Sequence, residues 1–262
     1  MILDSLEAPT LALRDRVVIW GAVVVLLLLA WGYLFVLDRQ MSALVDGPLQ
    51  AEMLRAMTEP WQAADMLFTF AMWLVMMIGM MLGPALPMLL LFAATEARHG
   101  RGRMTLSVLL FGLGYLTIWL GFSGWATVAQ WALHDASLLS PMMETSNARL
   151  SGIILLGAGI YQLTPLKSAC LAHCRSPLGF VMTHWRDGRA GALRMGLAHG
   201  VYCLGCCWAL MCVLFVVGVM NLLWIAALTL FVLLEKVGPA PVFVARATGV
   251  GLIAAGVYGF FS

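Results

Sequence analysis

Charge is what this sequence has least of. Of its 262 residues, 15 are Lys or Arg and 13 are Asp or Glu, so charged side chains make up 11%. Soluble domains carry about 25% charged and roughly 45–50% apolar residues, whereas the hydrophobic share here is 62%. That deficit excludes an ordinary soluble globule and an intrinsically disordered chain alike. With a net charge of +2 there is no basic footprint, so nucleic acid is not expected as a partner. Also lacking are a Gly-rich phosphate loop, a Ser/His/Asp arrangement at a usable spacing and an internal repeat. Turnover of an organic substrate therefore has no positive support in the sequence. A cleavage site is missing too: the first apolar run, Val17 to Leu37, is too long for a signal-peptide core and reads as a retained anchor.

What is present is hydrophobic length. Seven apolar segments can be read: Val17 to Leu37, Asp65 to Ala94, Leu106 to Leu133, Leu150 to Leu163, Leu193 to Val219, Asn221 to Leu234 and Val242 to Phe261. A span needs about 20 apolar residues. The expected fold is all-α, a polytopic transmembrane helix bundle of about seven spans, or six if the fifth and sixth segments merge. One integral membrane domain over residues 1–262 is expected: an N-terminal anchor and external connection (1–64), then the main helix bundle (65–262). Pro84 and Pro87 in the second segment predict a bent, protein-facing helix, because neighbours must satisfy the backbone groups that proline frees. Gly152, Gly157 and Gly159 suit the fourth to close helix packing. A short amphipathic helix is expected around Leu49 to Met57.

Lys and Arg are unevenly placed. With a cytoplasmic N-terminus, the inside segments carry Arg14, Arg16, Arg98, Arg101, Arg103, Lys167, Arg175, Arg186, Arg189, Arg194 and Lys236, and the outside ones only Arg39, Arg55 and Arg149. The positive-inside rule then predicts N-terminus in and, with seven spans, C-terminus out.

Six cysteines and eighteen methionines bear on chemistry. On the fifth segment, at about 100° per residue, Cys203 falls about 40° from His199 and Cys206 about 20° to the other side. Imidazole and two thiols so line one face, with Met195 extending it and Cys207 at its edge. In the preceding inner loop Cys170, His173 and Cys174 share one face of a helical turn. Cys170, Cys174, Cys203 and Cys206 together give a CxxxC–x28–CxxC pattern, a plausible four-thiolate set. Soft sulfur ligands favour Cu(I), zinc or iron–sulfur centres. Thiol redox chemistry and buried inert cysteine are the competing readings. On the second segment Asp65, Thr69, Met72, Met76 and Met80 fall within an arc of about 80°. That arc is a thioether ladder with a carboxylate at its outer mouth, or else core or lipid contact. Glu235 is a further candidate through its partial membrane burial, where it would balance charge or simply pair with Lys236.

These runs resemble a known family. Pro165, Lys167, Cys170, Cys174, Arg175 and Pro177 form one motif, and Gly200, Tyr202, Cys203, Gly205, Cys206, Cys207 and Trp208 a second. Gly218, Met220, Asn221 and Trp224, then Glu235 and Lys236, together with the Trp/Met-Met/Pro pattern of the second segment, complete the likeness. From about Ala64 onward the chain resembles a bacterial family of metal-binding integral membrane proteins long classed as a domain of unknown function (DUF2182). The resemblance implies a multispan inner-membrane protein that binds a metal and carries over no established activity. The leading expectation is a soft-metal membrane protein for Cu(I), acting in transport or delivery and meeting a partner membrane or metal-delivery protein. A membrane thiol–disulfide oxidoreductase using Cys203 and Cys206 against Cys170 and Cys174, and an assembly subunit with structural zinc, are the alternatives.

Overall fold

The computed structural model describes residues 11–45, 59–99, 101–140 and 144–261. The segment Leu49 to Met57, expected to be amphipathic, lies outside the described residues. Within them the chain is all-α apart from an isolated bridge between Leu139 and Thr145. In chain order the helices are α1 (Leu13–Val45), α2 (Ala63–His99), α3 (Arg101–Asp135), α4 (Ala148–Gln162), α5 (Pro165–Arg175), α6 (Pro177–His184), α7 (Gly188–Cys212), α8 (Leu214–Val217), α9 (Leu222–Val237) and α10 (Pro241–Phe261).

Five of them contain stretches long and apolar enough to cross a membrane: Leu13–Ala43, Ala63–Arg98, Met104–Asp135, Gly188–Val217 and Pro241–Phe261. A sixth arises if α4 and α5, bent by 62° at their junction, are one broken span. Two of the seven expected spans are thus short. The 15 residues of α4 and 16 of α9 reach about 22 and 24 Å at 1.5 Å per residue, against a hydrocarbon core of about 30 Å. The sequence itself ends α4, since Thr164 caps the following helix and Pro165 opens it at a fresh angle.

Helix α2 runs on through Pro84 and Pro87. Pro87 is exposed, so the expected protein-facing flank is met by the methionine side of the helix and not by this proline. The first turn of α2 is held by the Asp65 carboxylate, which accepts from the Gln62 N–H at 2.8 Å, the reach-back half of a capping box.

Two helix pairs approach closely through glycine. A Cβ at Gly159 would lie 2.8 Å from the Gly249 carbonyl oxygen, and one at Gly152 would lie 2.9 Å from that of Gly256, which lets α4 and α10 pack backbone to backbone. Gly157, expected to share that role, has nothing within 4 Å of its would-be Cβ. Gly196 and Gly200 of α7 face Phe111, Tyr115 and Ile118 of α3 in the same way. Buried hydrogen bonds tie α2 to α3, with Trp73 Nε1 donating to Gln130 Oε1 at 2.6 Å and the Tyr115 hydroxyl donating to the Met81 carbonyl at 2.9 Å.

The main core lies where α2, α3, α7 and α9 converge, with α5 covering one side. It gathers Met72, Trp73, Met76, Met77, Met80, Met81, Tyr115, Trp119, Cys203, Cys206 and Cys207 among its buried members. The outer faces of α1 and α10 present Val17, Leu28, Leu29, Phe243 and Val250 outward, as a lipid-facing surface requires.

Candidate metal centre

Cys203, Cys206 and Cys207 of α7 are 1% exposed each, and their sulfurs meet side chains from four other helices. Cys203 lies deepest in polar contacts: its Sγ is 3.1 Å from the Tyr115 hydroxyl of α3 and 2.8 Å from Nζ of Lys236, at the end of α9. Cys206 and Cys207 turn back onto their own helix, each within 3.1 Å of the Cys203 carbonyl oxygen. Beyond that, Cys207 Sγ touches Met81 Sδ of α2 at 3.9 Å, and Cys206 Sγ touches Cys174 Sγ of α5 at 3.9 Å.

Helix α5 brings its cysteines here because Thr164 and Pro165 start it at an angle that lays it against α7. Gly205 supplies the room, since a Cβ there would come within 2.8 Å of Cys170 Sγ. The Tyr161 hydroxyl, donating to the Gly205 carbonyl, pins the same turn from α4. The motif glycine between Cys203 and Cys206 is therefore a seat for Cys170. All six cysteines are free thiols.

Metal–sulfur bonds of about 2.3 Å put two sulfurs on one tetrahedral ion about 3.8 Å apart. The 3.9 Å approach of Cys174 and Cys206 fits that requirement; it is also the contact distance of two packed thiols. Among the described residues, no group of three or more His, Cys, Asp or Glu side chains is close enough to hold a metal ion as it stands. The structure thus presents sulfur in pairs rather than an assembled four-thiolate cage.

His199, expected on the Cys203 face, is 3% exposed and lies one turn before it. Its ring packs beside Tyr115, at 5.6 Å between centroids, and against Phe111 and Phe180. Nδ1 of His199 is buried without a hydrogen-bond partner among the described residues. An unsatisfied buried nitrogen is costly and calls for an explanation, and a soft or borderline metal is one group that would satisfy it. His173 is placed differently from its cysteine neighbours: its ring stacks on Tyr202 at 4.2 Å, and its Nδ1 meets the Ala169 carbonyl at 2.9 Å. It shares the helix with Cys170 and Cys174 but belongs to an aromatic cluster with Tyr202 and His184.

The acidic candidates lie apart from the sulfur. Asp65 is exposed at the start of α2 and serves its own helix N-terminus. Glu235 and Lys236, expected as a pair, do not pair, because adjacent positions on a helix point about 100° apart. Glu235 instead forms a buried ion pair with Lys167 at 2.7 Å and accepts from Gln162, while Lys236 is directed to Cys203. Arg175 completes this junction by donating to the Glu235 and Gly238 carbonyls. Met72, Met76 and Met80 are at most 1% exposed, so of the two packing alternatives they take core rather than lipid contact.

Three residues escaped the sequence reading. Tyr115 and Met81 come from other helices, and no local spacing links them to the cysteines. Lys236 carried a signal, a basic residue beside membrane-embedded Glu235, but was assigned to the wrong partner.

Neither a curated protein nor a solved structure matches the chain. A family whose description is PpoB2, copper chaperone, matches residues 70–258, which take in the methionine face, both cysteine motifs and the Glu235–Lys236 step; the chain belongs to that family.

Proposed function

We propose that this chain is a membrane-embedded Cu(I) chaperone that takes the ion on Cys203 and Cys206 and exchanges it through Cys174. The observation that carries the reading is the 3.9 Å approach of Cys174 on α5 to Cys206 on α7, inside a sulfur-rich core and in a chain of a copper family. Thiolate and thioether donors suit Cu(I). Cys170 and Cys174 are half-buried, whereas Cys203, Cys206 and Cys207 are buried. That gradient suits ligand exchange, in which an incoming thiolate displaces an outgoing one while the ion stays bonded to sulfur. His199, with its free Nδ1, stands one turn away as an additional donor.

The orientation that best accommodates the cationic side chains puts the N-terminus and the α5–α7 junction on the cytoplasmic side of a bacterial inner membrane. Ions would then reach the site from the cytoplasmic face or leave by it, in contact with a metal-delivery protein or partner membrane protein. Met72, Met76 and Met80 would form the route from the outer side, ending at Met81 and Cys207. Residues 65–262 would be the metal-binding bundle and 1–64 its anchor and external connection.

Metal analysis of the purified protein tests this. The wild type is expected to retain copper, and the double variant Cys203→Ser/Cys206→Ser to lose it. Unchanged stoichiometric copper in that variant would sink the proposal. Zinc at one per chain with no copper would instead support a structural site.

A further inference from the structure

Lys236 is a buried cation, 7% exposed. A buried ammonium needs a counter-charge, because an unpaired one is strongly destabilising. The usual partner, a carboxylate, is not there: among the described residues none pairs with Lys236, and neighbouring Glu235 is committed to Lys167. What faces Lys236 is sulfur and phenol, namely Cys203 at 2.8 Å, with Cys206, Cys207 and Tyr115 around it. The cation of this site is therefore built in, and it stands against the sulfur that would hold the ion.

We infer that Lys236 sets the charge of the ion this site accepts, making the loaded site neutral for a monovalent ion and cationic for a divalent one. The inference rests on the reading of Cys203 and Cys206 as the copper ligands. Metal-bound cysteines are thiolates, so the pair contributes two negative charges. Lys236 contributes one positive charge, and Cu(I) brings the sum to zero. Zn(II) in the same place leaves one positive charge buried. Cys207 does not enter the count, because its sulfur rests on the neutral Met81 thioether, while that of Cys206 faces the Cys174 sulfur. Removing the ammonium inverts the preference, since two thiolates alone are neutralised by a divalent ion.

The test is a competition between Cu(I) and Zn(II) on the detergent-purified full chain, with both metals counted per protein. In Lys236→Met and Lys236→Gln the copper-to-zinc ratio is expected to fall at least about tenfold, since an uncompensated buried charge costs several kcal/mol. Lys236→Arg keeps the charge and is expected to keep the ratio. A second comparison gives a gain instead of a loss. In Cys206→Ser one thiolate, Lys236 and Cu(I) leave a surplus positive charge and copper binding weakens. Adding Lys236→Met restores neutrality and is expected to recover copper. A purely structural Lys236 would make that double variant worse, and this outcome overturns the inference, as does a wild-type ratio in folded Lys236→Met or Lys236→Gln. Should the wild type bind copper independently of Cys203 and Cys206, it is the assignment of the ligands that fails, and the Cys203→Ser/Cys206→Ser variant reveals that separately.

Discussion

Glu235 and Lys236 are adjacent in sequence yet serve different neighbours. One turns to Lys167, whose side chain is 1% exposed, and the other to Cys203. The Lys167–Glu235 pair, with Gln162 donating to the same carboxylate, joins α4, α5 and α9 at one point. Taking away one member of such a buried pair strands the other, at a cost of about 3–5 kcal/mol. Glu235→Gln is therefore expected to lower the thermal unfolding midpoint by several degrees or more in detergent, while Arg39→Gln, in the last turns of α1, shifts it little. Equal midpoints for the two would show that the pair is not what holds α5 in place. At this scale the sequence was legible where candidate ligands share a helix. The 3.6-residue period alone put Cys203 and Cys206 on one face. It could not reveal Tyr115, Met81 or the partner of Lys236, because those contacts depend on how separate helices dock.

Among elements, the apolar helices were legible from hydrophobic length, the short α4 and α9 among them, while α6 and α8 were not. Segment Asn221 to Leu234 reads as a span by composition, yet its helix is about 24 Å long, and its worth to the site lies in delivering Lys236. The α3–α7 contact shows why such docking is specific. Gly196 faces the Phe111 carbonyl so closely that a Cβ would collide with it. The same contact sets Tyr115 against Cys203 and His199. Gly196→Ala is thus expected to push the helices apart, lowering both thermal stability and copper retention, although residue 196 offers no ligand. For α2, replacing Met72, Met76 and Met80 together by Leu nearly conserves volume and usually costs little per site. If the thioethers conduct the ion, the triple variant will fold and hold copper at equilibrium but load it more slowly in a stopped-flow mixing experiment. Wild-type loading kinetics would reduce the ladder to core packing.

At the scale of the whole molecule, α9 is the element on which topology turns. Five helices, or six with the bent α4–α5 pair, are long enough to cross; α9 is not, so the parity of crossings hangs on where its two ends lie. Its start is held at one end of the bundle. Leu222 N–H points to the Asp38 carboxylate near the end of α1, and the preceding Phe215 carbonyl accepts from Thr145 in the α3–α4 connection. Its other end is held at the opposite side, where Lys236 meets Cys203 and Arg175 clasps the Glu235 and Gly238 carbonyls. Helix α9 therefore leads from the Asp38 end to the cysteine end, short as it is, because polar groups at both termini are met by protein rather than by lipid. If α9 carries the chain from one side to the other, α10 returns it. With Arg14 and Arg16 inside, the C-terminus following Phe261 is expected outside. An alkaline phosphatase fused there should be active and a fluorescent protein dark, with the reverse pattern for fusions at the N-terminus. A bright, cytoplasmic C-terminus would mean an even number of crossings, with α9 re-entrant. Four crossings before α5, counted from an inside N-terminus, would put Cys170 and Cys174 on the cytoplasmic side, so an impermeant thiol reagent is expected to reach them in inverted vesicles and not in intact cells.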